Sequence, residues 1–259
     1  MRKYVGLEVF DDVQPAQIKM INCDGLIAGD PFCQYRMFRD GTPGMIELIR
    51  TVCEYGKEVI YQTPVYCTNR NMMEVQKNIA FLYSRYNVKK YLVQDIGLTD
   101  WIVNHFSDAE IIWSRWGKNR NSLTNHAFAE FLSSLGVTAV ETSKPERMSA
   151  LSKMGLKVFA EYGNTLYNTV SRDCYNTYML NRYDGICSRE CINEEMVLTN
   201  GNMHMTVNGH ILGKKLSYMD VEIFCNAAAH DATGIILYAS DFMAAEKILQ
   251  AINEKEPLK

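Results

Sequence analysis

The stretch TAVETSKPERMSALSKMGLKVFAEYG, residues 138–163, holds the pattern that decides the fold. A short strand-like run at 139–141 leads into a helix pattern over 145–154. Gly155 closes that helix, at the place where a glycine suits a left-handed C-cap. A second strand-like run, 157–160, starts two residues later. Strand, helix and strand joined in this way pair in parallel through a right-handed crossover.

The same unit recurs in both directions. Strand-like runs stand near 4–9, 26–29, 58–62, 91–94, 110–113 and 235–238, which with the two above makes eight. Helix patterns lie between several of them. Residues 45–55 set Ile46, Leu48, Ile49 and Val52 on one face, 71–86 set Val75, Ile79, Leu82 and Tyr83 on another, and 122–135 end at Gly136. Eight such strands in alternation with helices predict an α/β fold of the (β/α)8 type, imperfect at its first connection, where QPAQIKM is the only helix material. An open doubly wound sheet is the alternative, and the lack of a G-x-G-x-x-G after any strand weakens its dinucleotide-binding form. One segment breaks the alternation. MVLTN, HMTVNG and HILGKKLS, with Asn200-Gly201 and Asn208-Gly209 between them, predict a small antiparallel insertion before the last helix and strand. The insertion and the polar stretch before it occupy 165–217 of a single barrel domain over 1–259.

Length and composition agree with that reading. The chain has 259 residues, 47% of them hydrophobic, and a formal charge of −3, which gives no nucleic-acid or membrane footprint. No apolar run reaches the ~20 residues that span a bilayer. Met1-Arg2-Lys3 runs straight into YVGLEV with no apolar signal segment, so a cytoplasmic protein with reduced thiols is expected. Residues 254–259 read as a frayed tail.

The chemistry concentrates in cysteine. Cys174, Cys187 and Cys191 form a C-x12-C-x3-C array among Arg172, Asp173, Asn181, Arg182, Asp184, Arg189 and Glu190. No apolar period of two or 3.6 passes through it, so burial does not explain these thiols as it explains Cys53 and Cys225, which sit in amphipathic helix patterns. Three thiolates leave one position of an all-sulfur metal site open. In a barrel the functional residues stand at the C-terminal ends of the strands. Cys33 follows the second strand and Cys67 the third, so either can supply the fourth ligand, whereas Cys23 precedes the second strand and belongs to the opposite end. The five histidines show no H-x3-H or H-E-x-x-H spacing, and no G-x-S-x-G elbow exists.

Several of these segments resemble the peptidase U32 (collagenase-like) family, and in particular its short UbiV-like branch. AGDPFCQYR (28–36) is similar to a family segment with a cysteine followed by a basic residue. EYGKEVIYQTP, KVFAEYGNTLYNTVSRDC and GHILGKKLSYMDVEIF resemble three more, and the array spacing is the most specific match. Two positions depart from the family pattern: Lys157 stands where glutamate is usual, and Asp173 separates Arg172 from Cys174. The resemblance implies a barrel carrying a [4Fe–4S] cluster on Cys33, Cys174, Cys187 and Cys191. It further implies participation in oxygen-independent hydroxylation of an aromatic, isoprenoid-ring or nucleobase substrate, with prephenate as oxygen donor and a related U32-type subunit as heterodimer partner. A peptidase, or a non-catalytic partner subunit, is the alternative the family name and its paired members imply.

Structural zinc on the same four cysteines competes with the cluster, although the x12 gap is unlike the two short knuckles of a zinc ribbon. Polar groups expected at the barrel mouth are Asp30, Arg36, Arg115, Lys118, Arg120, Asn121, Glu141, Glu161 and Arg172. Arg36, three residues from Cys33, suits bidentate binding of the carboxylate of an anionic co-substrate such as prephenate. Glu141 and Glu161, at strand ends, are candidate acid/base groups. No membrane span and no DNA partner are expected.

Overall fold

The computed structural model describes residues 1–7, 14–29, 43–64, 67, 69–114, 126–163, 165–170, 196–201, 203–208, 211–215, 221–239 and 241–255. The chain order begins β1 (Arg2–Leu7), α1 (Pro15–Met20), β2 (Gly25–Ala28), α2 (Pro43–Glu54), β3 (Glu58–Gln62), α3 (Asn69–Tyr86), β4 (Lys90–Val93) and α4 (Ile96–His105). It continues with β5 (Glu110–Trp113), α5 (His126–Ser134), β6 (Ala139–Thr142), α6 (Pro145–Lys153) and β7 (Lys157–Gly163). After four further strands come α7 (Val221–Asp231), β12 (Gly234–Ala239) and α8 (Phe242–Lys255). Strands β1 to β7 and β12 close into a barrel in which every pair is parallel. This is the (β/α)8 barrel the alternation predicts, built on the eight strands expected.

Burial explains why these runs are strands. Both faces of each are covered, so they read as continuous apolar stretches rather than as alternation. Outward-facing Val5, Leu26, Val59, Tyr61, Tyr91, Val93, Ile111, Val140, Val158, Ile235 and Leu237 join the helices in one buried cluster. Inward-facing Tyr4, Ile27, Ile60, Leu92, Ile112, Ala139, Phe159 and Ile236 form a second.

The registers set the internal layering. Following them once round the barrel returns to β1 displaced by eight residues, the stagger of a (β/α)8 barrel. With that stagger, inward positions fall into rings of four from alternate strands. Arg2, Glu58, Glu110 and Lys157 form the lowest, Tyr4, Ile60, Ile112 and Phe159 the middle, and Gly6, Gln62, Ser114 and Glu161 the upper. The intervening strands contribute Gly25, Lys90, Ala139 and Gly234, then Ile27, Leu92, Glu141 and Ile236. The Tyr4 and Phe159 rings, carried by the two strands that flank β12, meet edge to face at 5.8 Å in the middle ring.

Between β7 and α7 stands a separate four-stranded antiparallel sheet. Its order is β8 (Thr165–Val170), β11 (Ile211–Lys215), β10 (Met203–Asn208), β9 (Met196–Asn200). The Asn200-Gly201 turn joins β9 and β10 as expected, with Gly201 at φ +58. Strand β8 is an addition to the expected hairpins. It starts two residues after β7 ends and pairs with β11, so this sheet springs from the C-terminal end of a barrel strand. No described helix is long and apolar enough to cross a membrane.

Candidate functional site

The barrel interior changes chemistry along its axis. Six of the eight residues of the inner cluster are followed, two positions on and therefore on the same inner face, by a polar one, whereas Tyr4 and Ile27 are followed by Gly6 and Gly29. Ile60 precedes Gln62, Leu92 precedes Gln94, Ile112 precedes Ser114, Ala139 precedes Glu141, Phe159 precedes Glu161, and Ile236 precedes Tyr238. All six stand at the C-terminal ends of their strands, where barrels of this type hold their functional groups. Five of them are sequestered, Gln62 being 2% exposed, Gln94 7%, Ser114 1%, Glu141 0% and Glu161 4%, and Tyr238 is partly buried.

Glu141 and Glu161 lie on the neighbouring strands β6 and β7. Glu141 is in register with Phe159, so Glu161 stands one inward step further up. The Ser114 hydroxyl donates to Glu141 Oε2 at 3.0 Å, which orients one buried carboxyl from the adjacent strand. A carboxylate is far too weak a base to hold a serine alkoxide, so this pair fixes Glu141 rather than activating Ser114. Tyr238 completes the arrangement, and Gly6 and Gly163 make room for it. A Cβ at Gly6 would sit 2.8 Å from the Tyr238 ring, and one at Gly163 3.1 Å from its Cβ.

The opposite end carries charge in compensated form. Lys90 Nζ donates to Glu58 Oε2 at 2.6 Å and to Tyr4 Oη at 2.7 Å, Tyr4 donates to Glu58, and Arg2 Nη1 reaches Glu58 Oε1 at 2.9 Å. Lys157 Nζ pairs with Glu110 Oε1 at 2.8 Å. The lysine that departs from the family pattern is therefore part of an ion-pair chain at the N-terminal rim, the end that serves stability rather than catalysis.

The cysteines divide as follows. Cys23 is buried at the N-terminal end of β2, its thiol pushed up to about 11 by burial, which outweighs the lowering effect of Lys57. Cys225 is buried, and Cys53 is partly buried against the same apolar cluster, as expected of core residues. Cys67 also packs there; burial first, then the nearby Asp95, pushes it up to about 12. That setting keeps a thiol protonated and is poor for a thiolate ligand. Cys33, Cys174, Cys187, Cys191 and Arg36 lie outside the described residues, as do Asp30, Arg115, Lys118, Arg120, Asn121 and Arg172. Among the described residues, no three His, Cys, Asp or Glu side chains converge as metal ligands.

Sequence reading singled out the two carboxyls as strand-end groups, where the structure places them, but not Gln62, Gln94, Ser114 or Tyr238 beside them. The signal was present as the two-residue step from six of the eight inner-cluster residues, and it becomes legible once the inner face of each strand is known.

A closed parallel barrel with a polar upper interior and an antiparallel sheet following its seventh strand defines a (β/α)8-barrel protein. The chain belongs to the peptidase U32 family, whose model matches residues 20–247. In three dimensions it is similar to the U32 peptidase Mk0906, at 12% identity, 93% of each chain covered and a TM-score of 0.52. It is also similar to a glycerophosphodiester phosphodiesterase from Parabacteroides distasonis, at 9% identity, 96% of this chain and 97% of that one covered and a TM-score of 0.52. A truncated 3-deoxy-D-arabino-heptulosonate 7-phosphate synthase from Thermotoga maritima superposes with a TM-score of 0.52 at 12% identity, over 98% of this chain and 86% of that one. At such identities these likenesses show the barrel alone. No curated protein matches the chain in sequence.

Proposed function

We propose that this U32-family protein is an iron–sulfur protein that takes part in oxygen-independent hydroxylation of a ring substrate seated in the upper barrel. The observation that carries the reading is the C-x12-C-x3-C array. It falls between β8 and β9, in chain that leaves the barrel at the C-terminal end of β7, and Cys33 follows β2 at that same end. Four cysteine thiols are the donor set of a [4Fe–4S] cluster. Fully ligated in that way, a cluster supplies electron transfer or a rigid clasp and leaves no open iron for substrate.

The chain's own residues account for the rest. Glu141, oriented by Ser114, and Glu161 one step above it are the groups that hold or move protons at the substrate. Burial at the end of the barrel keeps water from the reacting atoms. Arg36, three residues beyond Cys33, is assigned to the carboxylate of an anionic oxygen donor such as prephenate. Membership of the UbiV-like branch, and a heterodimer of this chain with a related U32-type subunit in a reducing cytoplasm, complete the proposal. The alternative of a peptidase has only the family name behind it. Among the described residues, the one serine paired with a carboxyl in the upper barrel lacks a base strong enough to activate it.

Anaerobic purification followed by iron, sulfide and zinc analysis tests the reading. About four irons and four sulfides per chain, with a broad band near ~400 nm that bleaches on reduction, are expected. Cys→Ser at any of the four positions should abolish the band. One zinc without iron would make the array a structural clasp and remove the redox chemistry.

A further inference from the structure

Gln94 stands one residue past β4, on the same inner face as Lys90 and Leu92. Its carboxamide is buried, and neither Oε1 nor Nε2 has a hydrogen-bond partner. On the neighbouring strand, Gln62 is in register with Leu92 and its Nε2 is buried and unpartnered too. Proteins rarely leave such groups unpaired, because each has given up its hydrogen bonds to water without replacement. An amide with both ends empty is also indifferent to which atom is called oxygen and which nitrogen. The strand ladder does not require a glutamine here, since a leucine-sized apolar side chain would fill the position at lower cost.

The geometry points to a ligand-reading role: we propose that Gln94 binds the cyclic-amide edge of an uncharged ring, a lactam whose C=O and N–H lie side by side. A primary carboxamide presents one donor and one acceptor along one edge, and a cis amide in a ring presents the complementary pair. A trans peptide bond points its N–H and C=O in opposite directions and makes only half of that contact. A quinone lacks the donor, and a carboxylate has only acceptors. Charge gives the same selection. Glu141 and Glu161 stand in the adjoining rings, and among the described residues no cation occupies an inward position in the upper layers. An anion placed there would meet acidic side chains, so the anionic oxygen donor assigned to Arg36 does not share this floor. The inference rests on the upper barrel being the substrate site, and is independent of the cluster and of hydroxylation.

The test uses the whole purified chain, with 2-pyridone as the cyclic amide, N-methyl-2-pyridone as the ring without its donor, and benzoate as the anion. Saturation-transfer NMR and calorimetry should detect 2-pyridone with a Kd on the order of 1 mM. N-methylation and Gln94→Leu should each weaken binding by about tenfold or more, because a site built to pair polar groups rejects a partner lacking them. Benzoate should not bind. In the ligand-free protein, Gln94→Leu should raise the melting temperature by roughly 2–4 °C, since an unpaired buried amide is removed. A purely structural glutamine, or one satisfied by an ordered water, would instead lower it. Equal binding of benzoate, undiminished pyridone binding by Gln94→Leu, or a fall in its melting temperature overturns the proposal. Iron content measured on the same samples separates the two readings. Iron-free protein that binds 2-pyridone through Gln94 keeps this inference and sinks the cluster, whereas iron-loaded protein indifferent to 2-pyridone does the reverse.

Discussion

Glu58 and Ser114 show how differently a polar side chain is handled at the two ends of one barrel. Burial alone would raise the Glu58 carboxyl, but hydrogen bonds from Lys90 and Tyr4 and the charges of Lys90 and Arg2 outweigh it and hold the group below the ordinary value. A carboxylate depressed in this way stabilises the fold above its unfolded pKa of about 4.3, and that contribution disappears as pH falls through the lower folded value. At pH 7, Glu58→Gln should therefore cost only about 1 kcal/mol, because the side chain is 40% exposed and solvent screens the pair. Denaturant titrations of both proteins should show the gap closing as pH drops below about 4. A gap that stays constant to pH 3 would mean that Glu58 acts by packing alone. Ser114 has no such screening. Ser114→Ala removes the 3.0 Å donor to a fully buried Glu141, so a loss of about 1–3 kcal/mol is expected. Urea unfolding at neutral pH checks it, and an unchanged midpoint would show that Glu141 is oriented by something else.

The β2–β3 pair shows what a strand contributes beyond its sequence pattern. A Cβ on Gly29 would lie 2.2 Å from the Gln62 carbonyl, and the residue has φ +140, where side chains are strained. Gly29→Ala should force these strands apart and cost about 3 kcal/mol or more, with the damage centred on Gln62. Gly56→Ala is the control. Its φ is +69 with open space around it, so only about 1 kcal/mol is expected from the same substitution. Thermal midpoints that rank the two the other way would contradict the close approach. Elements also explain what was legible beforehand. The eight barrel strands could be read because each is a short apolar run buried on both sides, bounded by helix patterns with clear stripes. Helix α4 was not, since IGLTDWIVNH spreads apolar residues around it and buries only Leu98, Thr99 and Ile102. Strand β8 was missed because its partner β11 is some forty residues later, and no local pattern reveals such a pairing. The carboxyls of Glu141 and Glu161 were found as strand-end acids, while Gln62 and Gln94 needed the barrel's inner face before their placement meant anything.

At the scale of the whole molecule, the barrel and the proposed cluster stabilise the chain by separate means. Closure leaves the eight parallel strands without an edge, and the two apolar clusters lie inside and outside that wall. A cluster held by Cys33 and the three array cysteines would add one long-range link between chain following β2 and chain following β8. Such a link works mainly on the unfolded state, by shortening a loop of well over a hundred residues, and is worth about 2–4 kcal/mol. Stripping iron with a chelator under anaerobic, reducing conditions should thus lower the melting temperature by roughly 5–10 °C for a chain of this size. The far-UV circular dichroism should be nearly unchanged, because the barrel core remains. The single variants should then differ from simple addition. Cys33 is the only proposed ligand after β2, so Cys33→Ser should cost as much stability as removing the metal altogether. Cys187→Ser should cost the same, because loss of any one of the four thiolates removes the cluster. Equal losses for both variants would mean that the centre assembles all or nothing. No loss for Cys33→Ser, with the iron still bound, would remove Cys33 from the ligand set and reopen the choice of the fourth thiolate.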